Sequence, residues 1–259
     1  MDVPVSTWSP PQIALFTLLV VGMFDVLVYL LVRRLHGTGW GPAALGIVSP
    51  QLLATVSILF ALLTGFLGNN VWGDHTQARR AVAEEARSLN QVLLMAKGLP
   101  EDMKVAVRLW VGDYVNAVVT EEWPAMGIGH SGDKPYAVLY QALEAVIACQ
   151  PESTGEQLAQ TMVIHALNDT LSARTQRINL SEERIGPVKW VVMLCLAGLV
   201  LLTLGILHHA NPIALMISLA IGGGGIAASL VPILSYDRPF TGTHAVTPEP
   251  LLRLTLPRD

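Results

Sequence analysis

Few residues in this chain are of a type and spacing that could do chemistry. Asp25 lies inside an apolar run, IALFTLLVVGMFDVLVYLLV, at Ile13–Val32. A carboxyl group within a membrane-length segment faces a bundle interior or a cavity, where a neighbouring helix satisfies it or it meets an ion or a proton. His130 and Asp133 fall in a Gly-rich stretch, Ala125–Pro135, that lacks the Gly-Lys-Ser/Thr ending and the preceding strand of a phosphate loop and reads as a solvent loop. His208 and His209 are adjacent, share no helix face, and are not expected to form a metal site. His165 sits on an apolar stripe and reads as a core histidine. No nucleophile–base–orienter set and no metal-spaced cluster is present, so the sequence points to no enzyme, no cofactor and no metal. Cys149 and Cys195 lie in different segments, the second in an apolar run, and no disulfide is expected.

The elements that would position these residues are helices, most of them greasy. Of 259 residues, 52% are hydrophobic and 14% charged, against about 25% charged in ordinary soluble domains. The net charge of −4 gives no reason to expect a nucleic-acid partner. Four apolar stretches match a hydrocarbon core of about 30 Å: Ile13–Val32, Pro50–Asn70, Val188–Leu207 and Ile213–Leu234. The predicted class is therefore all-α: four transmembrane helices, with a helical soluble domain inserted between spans 2 and 3. The expected organisation is residues 1–70 for spans 1 and 2, 71–187 for a soluble helical bundle, 188–235 for spans 3 and 4, and 236–259 for an extended C-terminal tail. The start, MDVPVSTWSPPQ, has no basic n-region and reads as no secretory signal.

The second span runs into a charged amphipathic helix with no intervening proline, so Leu52–Val92 reads as one helix leaving the bilayer. Ala78, Val82, Ala86, Leu89, Leu93 and Ala96 form its apolar stripe, opposite Arg79, Arg80, Glu84 and Arg87, with Glu84 four residues from Arg80. A second helix opens at Pro100 and stops at Pro124, burying Met103, Val107, Trp110, Tyr114 and Val118. A third covers Tyr136–Cys149. A capping box at Ser153–Glu156 starts a long helix whose stripe is Leu158, Met162, His165, Leu167, Leu171 and Ile178. The fourth span carries small residues at four-residue spacing, Ala214, Ser218, Gly222 and Ala220, Gly224, Ala228, a pattern that lets backbones approach closely within one chain or between subunits.

Leu52, Leu59, Leu62, Phe66 and Asn70 share one face of the second span. In a symmetric oligomer that face would form rings of apolar side chains, a constriction that gates by dewetting; within one chain it is ordinary packing or lipid contact. Four spans place the N-terminus, soluble domain and tail on one side. Arg79, Arg80, Arg87, Arg174, Arg177, Arg184, Lys189 and Arg238 lie on that side, and Arg33 and Arg34 on the other, which favours a cytoplasmic domain; the flanks of the first span alone argue the reverse.

Two separated motifs complete the reading. One is Val71-Trp72-Gly73-Asp74-His75-Thr76-Gln77-Ala78-Arg79, running on through Ala81–Ala86, with Leu99-Pro100 and Glu122-Trp123-Pro124 downstream. The other is Asp237-Arg238-Pro239-Phe240-Thr241-Gly242 with Pro248-Glu249-Pro250-Leu251. Together they resemble a bacterial family of four-span proteins described as bestrophin-like. The resemblance implies kinship with pentameric anion channels in which the second span lines the pore and a cytosolic helical domain extends it. No acidic cluster like the calcium clasp of the animal proteins is present, so calcium gating is not carried over. On this reading Leu59, Leu62 and Phe66 are the constriction, Asn69 and Asn70 offer amide donors at its mouth, and Arg79 and Arg80 give a positive vestibule. The expected partners are the lipid bilayer of a bacterial inner membrane, further copies of the chain, and small anions including chloride. The alternative is a membrane-anchored sensory or scaffold protein whose helical domain binds a partner.

Overall fold

The computed structural model describes residues 8–37, 48–127, 130–183, 185–242 and 244–255. Residues 38–47 between the first two spans, two residues of Ala125–Pro135, Arg184 of the charge count and the last four residues of the tail lie outside them. Among the described residues there is no strand. The helices are α1 (Pro10–Gly37), α2 (Pro50–Met95), α3 (Glu101–Ala117), α4 (Trp123–Gly127), α5 (Asp133–Ala148), α6 (Thr154–Glu182), α7 (Pro187–Leu207), α8 (Pro212–Tyr236) and α9 (Glu249–Thr255). Four of them, α1, α2, α7 and α8, are long and apolar enough to cross a membrane.

The sequence reason for α2 is simple: Pro50 stands in its first turn, where a missing N–H costs little, and no proline follows within its 46 residues. At 1.5 Å per residue it is about 69 Å long, roughly twice the hydrocarbon thickness. A 3-10 turn at Ala96–Gly98 ends it. Gly98 is needed there because a Cβ would stand 2.7 Å from the Cβ of Ala159 on α6.

The chain divides into two compact units. The first takes the described residues up to Gly73, with Arg184–Asp237 and Gly242–His244. Its core is Val21, Val28, Val32, Phe60, Leu67, Met193, Leu201, Leu215, Leu219, Ile226 and Leu230. Close approach of α1, α7 and α8 rests on small residues. A Cβ on Gly205 would meet Val28 Cγ1 at 2.8 Å, and one on Gly222 would meet Leu204 Cδ2 at 2.7 Å. The turn between α7 and α8 ends at Asn211, whose side chain accepts from the Ile213 and Ala214 amides at 3.0 and 3.2 Å and so caps α8.

The second unit takes Asp74–Glu183, Arg238–Thr241 and the residues from Ala245 onward. Its core contains Ala78, Val82, Leu89, Val107, Val111, Tyr114, Leu139, Val163 and Leu167. Ser153 Oγ accepts from the Glu156 amide at 3.2 Å, and Glu156 Oε2 in turn accepts from the amide of Glu152, the residue before the cap, at 2.8 Å. Gln160 on α6 donates to the carbonyls of Val146 and Cys149 at 2.7 and 2.8 Å, which closes the C-terminal end of α5.

Three expectations are corrected here. Pro124 does not stop a helix: Val118–Glu122 form one turn of π-helix, the Trp123 amide bonds to the Val118 carbonyl five residues back, and α4 carries on through Pro124. The wider turn accommodates the residue whose N–H is missing. His165 is exposed rather than in the core. The buried face of α6 is Ala159, Val163, Ala166, Leu167, Thr170, Ala173, Arg174, Arg177 and Leu180; of the expected stripe Leu167 is buried, while Leu158 and Met162 point outward. Small residues fill much of that face and let α6 sit close to its neighbours, so its large apolar side chains marked the inner face only in part. The tail is not extended throughout: after Pro248 the chain forms α9, with Leu251 fully buried. Of the two small-residue faces on α8, Gly222 packs on α7, while Ala220, Gly224 and Ala228 are exposed on the single chain, which leaves them available for packing between subunits.

Candidate functional site

The face of α2 singled out by sequence is left uncovered by its own chain. Leu59 is 51% exposed, Leu62 54% and Phe66 68%, and Asn69 and Asn70 are exposed too. Phe60, Leu67 and Val71, on the opposite side, are buried in the first unit's core. Of the four span-length windows, that of α2 has the smallest buried share, 17%, against 33% for α7 and α8. An apolar stripe of this length needs lipid or another protein surface against it. Further along the same helix, in the second unit, Arg79 and Arg80 are exposed and Glu84 pairs with Arg87 at 3.8 Å rather than with Arg80.

Asp25 is half-buried on α1, and its carboxyl group lies against α8. A Cβ on Gly223 would stand 2.2 Å from Asp25 Oδ2, so the glycine run on α8 makes room for this carboxyl. Oδ1 is buried with no hydrogen-bond partner.

The strongest polar arrangement is one that the sequence reading missed. Arg177 is fully buried in the second unit between two carboxylates. Its Nε donates to Glu85 Oε2 at 2.6 Å, and its Nη2 to Glu85 Oε1 at 3.0 Å and Glu122 Oε1 at 2.7 Å. Nη1 points to Met126 Sδ at 2.8 Å, and the guanidinium stands 5.3 Å from the Trp123 ring centre. Arg174 donates through Nε and Nη2 to Glu122 Oε2 and through Nη2 to the Gly132 carbonyl. Tyr114 donates its hydroxyl to Glu85 Oε1 at 2.5 Å. Two guanidiniums thus face two carboxylates, and the cluster is neutral.

Burial acts to lower the Arg177 pKa, but the charge and hydrogen bonds of Glu85, with Tyr114 and Glu122, outweigh it and raise it. Burial and then the Glu85 charge push Tyr114 well above the usual tyrosine range. The network ties α2, α3, the π-turn and α6 together and leaves no open coordination for a ligand. Its sequence signal is a charge on an apolar face: Glu85 lies between Val82 and Leu89, and Arg177 between Ala173 and Leu180.

A polar groove of about 390 Å³ runs along α2 and α6, lined by Glu84, Arg87, Ser88, Gln91, Asp169 and Gln176. His130 and Asp133 form no metal cluster, and among the described residues no three His, Cys, Asp or Glu converge on one point. Cys149 and Cys195 are both free thiols.

Comparison with known proteins agrees with this architecture. A crystal structure of a membrane protein variant superposes with a TM-score of 0.68 at 12% identity, covering 93% of this chain and 98% of the other. A variant of a bacterial bestrophin homologue from Klebsiella pneumoniae superposes with a TM-score of 0.60 at 13% identity, with 93% and 98% coverage. A second variant of that homologue gives 0.59 at 11% identity, over 93% and 97%. At such identities the likeness is one of fold. No curated protein sequence matches. The model of the bestrophin-like domain matches residues 19–251, nearly the whole chain, and this integral membrane protein belongs to the bestrophin-like family.

Proposed function

We propose that this protein is an oligomeric ion channel of a bacterial inner membrane, selective for small anions, with α2 lining the pore. The observation that carries the proposal is the uncovered stripe of α2, apolar at Leu59, Leu62 and Phe66 and ending in the exposed amides of Asn69 and Asn70. Copies arranged about an axis would turn each of these into a ring. The three apolar rings form the constriction, where dewetting holds the barrier. The Asn side chains replace part of the hydration shell of an entering anion. Arg79 and Arg80 raise the local anion concentration at the mouth. Kinship with bestrophins supports a pentamer and a cytoplasmic helical unit. Asp25 packs α1 on α8.

The test is chloride flux from liposomes containing the purified protein. Flux above protein-free liposomes supports the proposal, and its absence across pH and calcium contradicts it. A second reading, a membrane-anchored scaffold, rests on the polar groove between α2 and α6. A monomer or dimer in detergent, without flux, favours that reading.

A further inference from the structure

His36 and His209 are 173 positions apart in the chain. The fold brings them together where α1 ends and where the chain turns between α7 and α8. Their ring centres are 5.6 Å apart with planes inclined at 52°. The turn fixes the second ring: His209 Nδ1 lies 2.8 Å from the Ile206 carbonyl, and its neighbour His208 holds the Leu204 carbonyl in the same way at 3.0 Å. A carbonyl oxygen only accepts, so Nδ1 carries the proton in each ring. In the neutral ring this tautomer leaves the lone pair on Nε2. A histidine whose Nδ1–H is anchored on a backbone carbonyl is in the state a metal ion requires, with its tautomer and ring direction set.

We propose that His36 and His209 form a binding site for a late first-row divalent cation such as zinc or copper. Two imidazoles on one tetrahedral ion, each about 2.0–2.1 Å from it, have ring centres about 5 Å apart. A shift of roughly half an ångström closes the observed separation to that value. His36 is exposed on the last turn of α1 and has the freedom to make it. Imidazole nitrogen suits copper and zinc, and affinity follows the order in which copper binds most tightly. With two protein ligands, the remaining positions are filled by water, so the site is open and exchangeable. Arg33 and Arg34, in the last turns of α1, oppose a cation there and weaken the affinity. The site is independent of any conduction by α2 and is tested by binding alone.

The experiment is titration of the full-length, tag-free protein in detergent with copper, read by electron paramagnetic resonance, and with zinc, read by calorimetry. One ion per chain is expected, with nitrogen splitting from two imidazoles. His36→Ala and His209→Ala should each lower the affinity at least tenfold and leave one coupled nitrogen. His36→Cys, which restores a soft ligand, should recover zinc binding. Wild-type affinity in either alanine variant overturns the proposal. So does a spectrum with two nitrogens in the absence of His36, which would place the ion on His208 and His209 alone.

Discussion

The buried carboxylates of the second unit stand or fall with their partners. Removing one side of a buried pair leaves an uncompensated charge and costs about 3–5 kcal/mol, whereas a well-packed apolar replacement of the whole set is often tolerated. Glu122→Ala orphans Arg174 and half of Arg177, and should lower the unfolding midpoint in detergent far more than Glu84→Ala, which breaks only an exposed pair. Equal effects would show that the network does not hold the unit. Tyr114 supplies a pH signature. Its folded pKa is raised, so the folded state keeps the proton while unfolded tyrosine loses it above about pH 10. The Tyr114 contribution is intact below that pH and declines above it as pH climbs towards the folded pKa. Tyr114→Phe should therefore flatten the fall in stability above pH 10 relative to wild type; parallel curves would refute the assignment.

Helices carry the next set of consequences. The α1–α8 contact at Asp25 and Gly223 is a shape match, in which the carboxyl occupies the place of a side chain. Gly223→Ala should destabilise the protein by driving a methyl group into Asp25. The double variant with Asp25→Ala should recover much of the loss, because the two residues touch and their effects are not additive. Additive losses would mean that α8 shifts for other reasons. Much at this scale was legible in the sequence: Pro50 and the lack of a later proline specify a continuous α2, and the Asn211–Pro212 pair specifies the start of α8. What was not legible depends on partners far along the chain. Glu85 and Arg177 are 92 residues apart, and nothing local says that each neutralises the other. The inner face of α6 was only partly read: Leu167 does lie on it, but alanines and Val163 fill much of the rest, while Leu158, Met162 and His165 face outward. The π-turn was misread because Pro124 follows a residue whose amide reaches five positions back.

At the scale of the whole protein, the burial of Arg174 and Arg177 changes the charge balance that sets orientation. Both belong to the core network rather than to a membrane flank, so the excess of basic residues that argues for a cytoplasmic second unit rests on Arg79, Arg80, Arg87, Lys189 and Arg238 among the described residues. A cysteine introduced at exposed Arg80, in a chain freed of Cys149 and Cys195, should resist a membrane-impermeant maleimide in intact spheroplasts and react after lysis. Labelling before lysis would reverse the topology. The uncovered apolar stripe of α2 needs lipid or another protein surface against it, and under the proposed channel a symmetric assembly would supply that surface at its axis. Arg79→Glu should reduce anion conductance most at low salt, where screening is weakest.

The most direct measurement is chloride conductance of Phe66→Ala beside wild type in the same planar bilayers. If α2 faces the axis, shrinking the largest apolar ring widens and wets the constriction, and unitary conductance or open probability should rise severalfold. Wild-type behaviour in Phe66→Ala would show that this face of α2 looks at lipid and that the pore, if there is one, lies elsewhere.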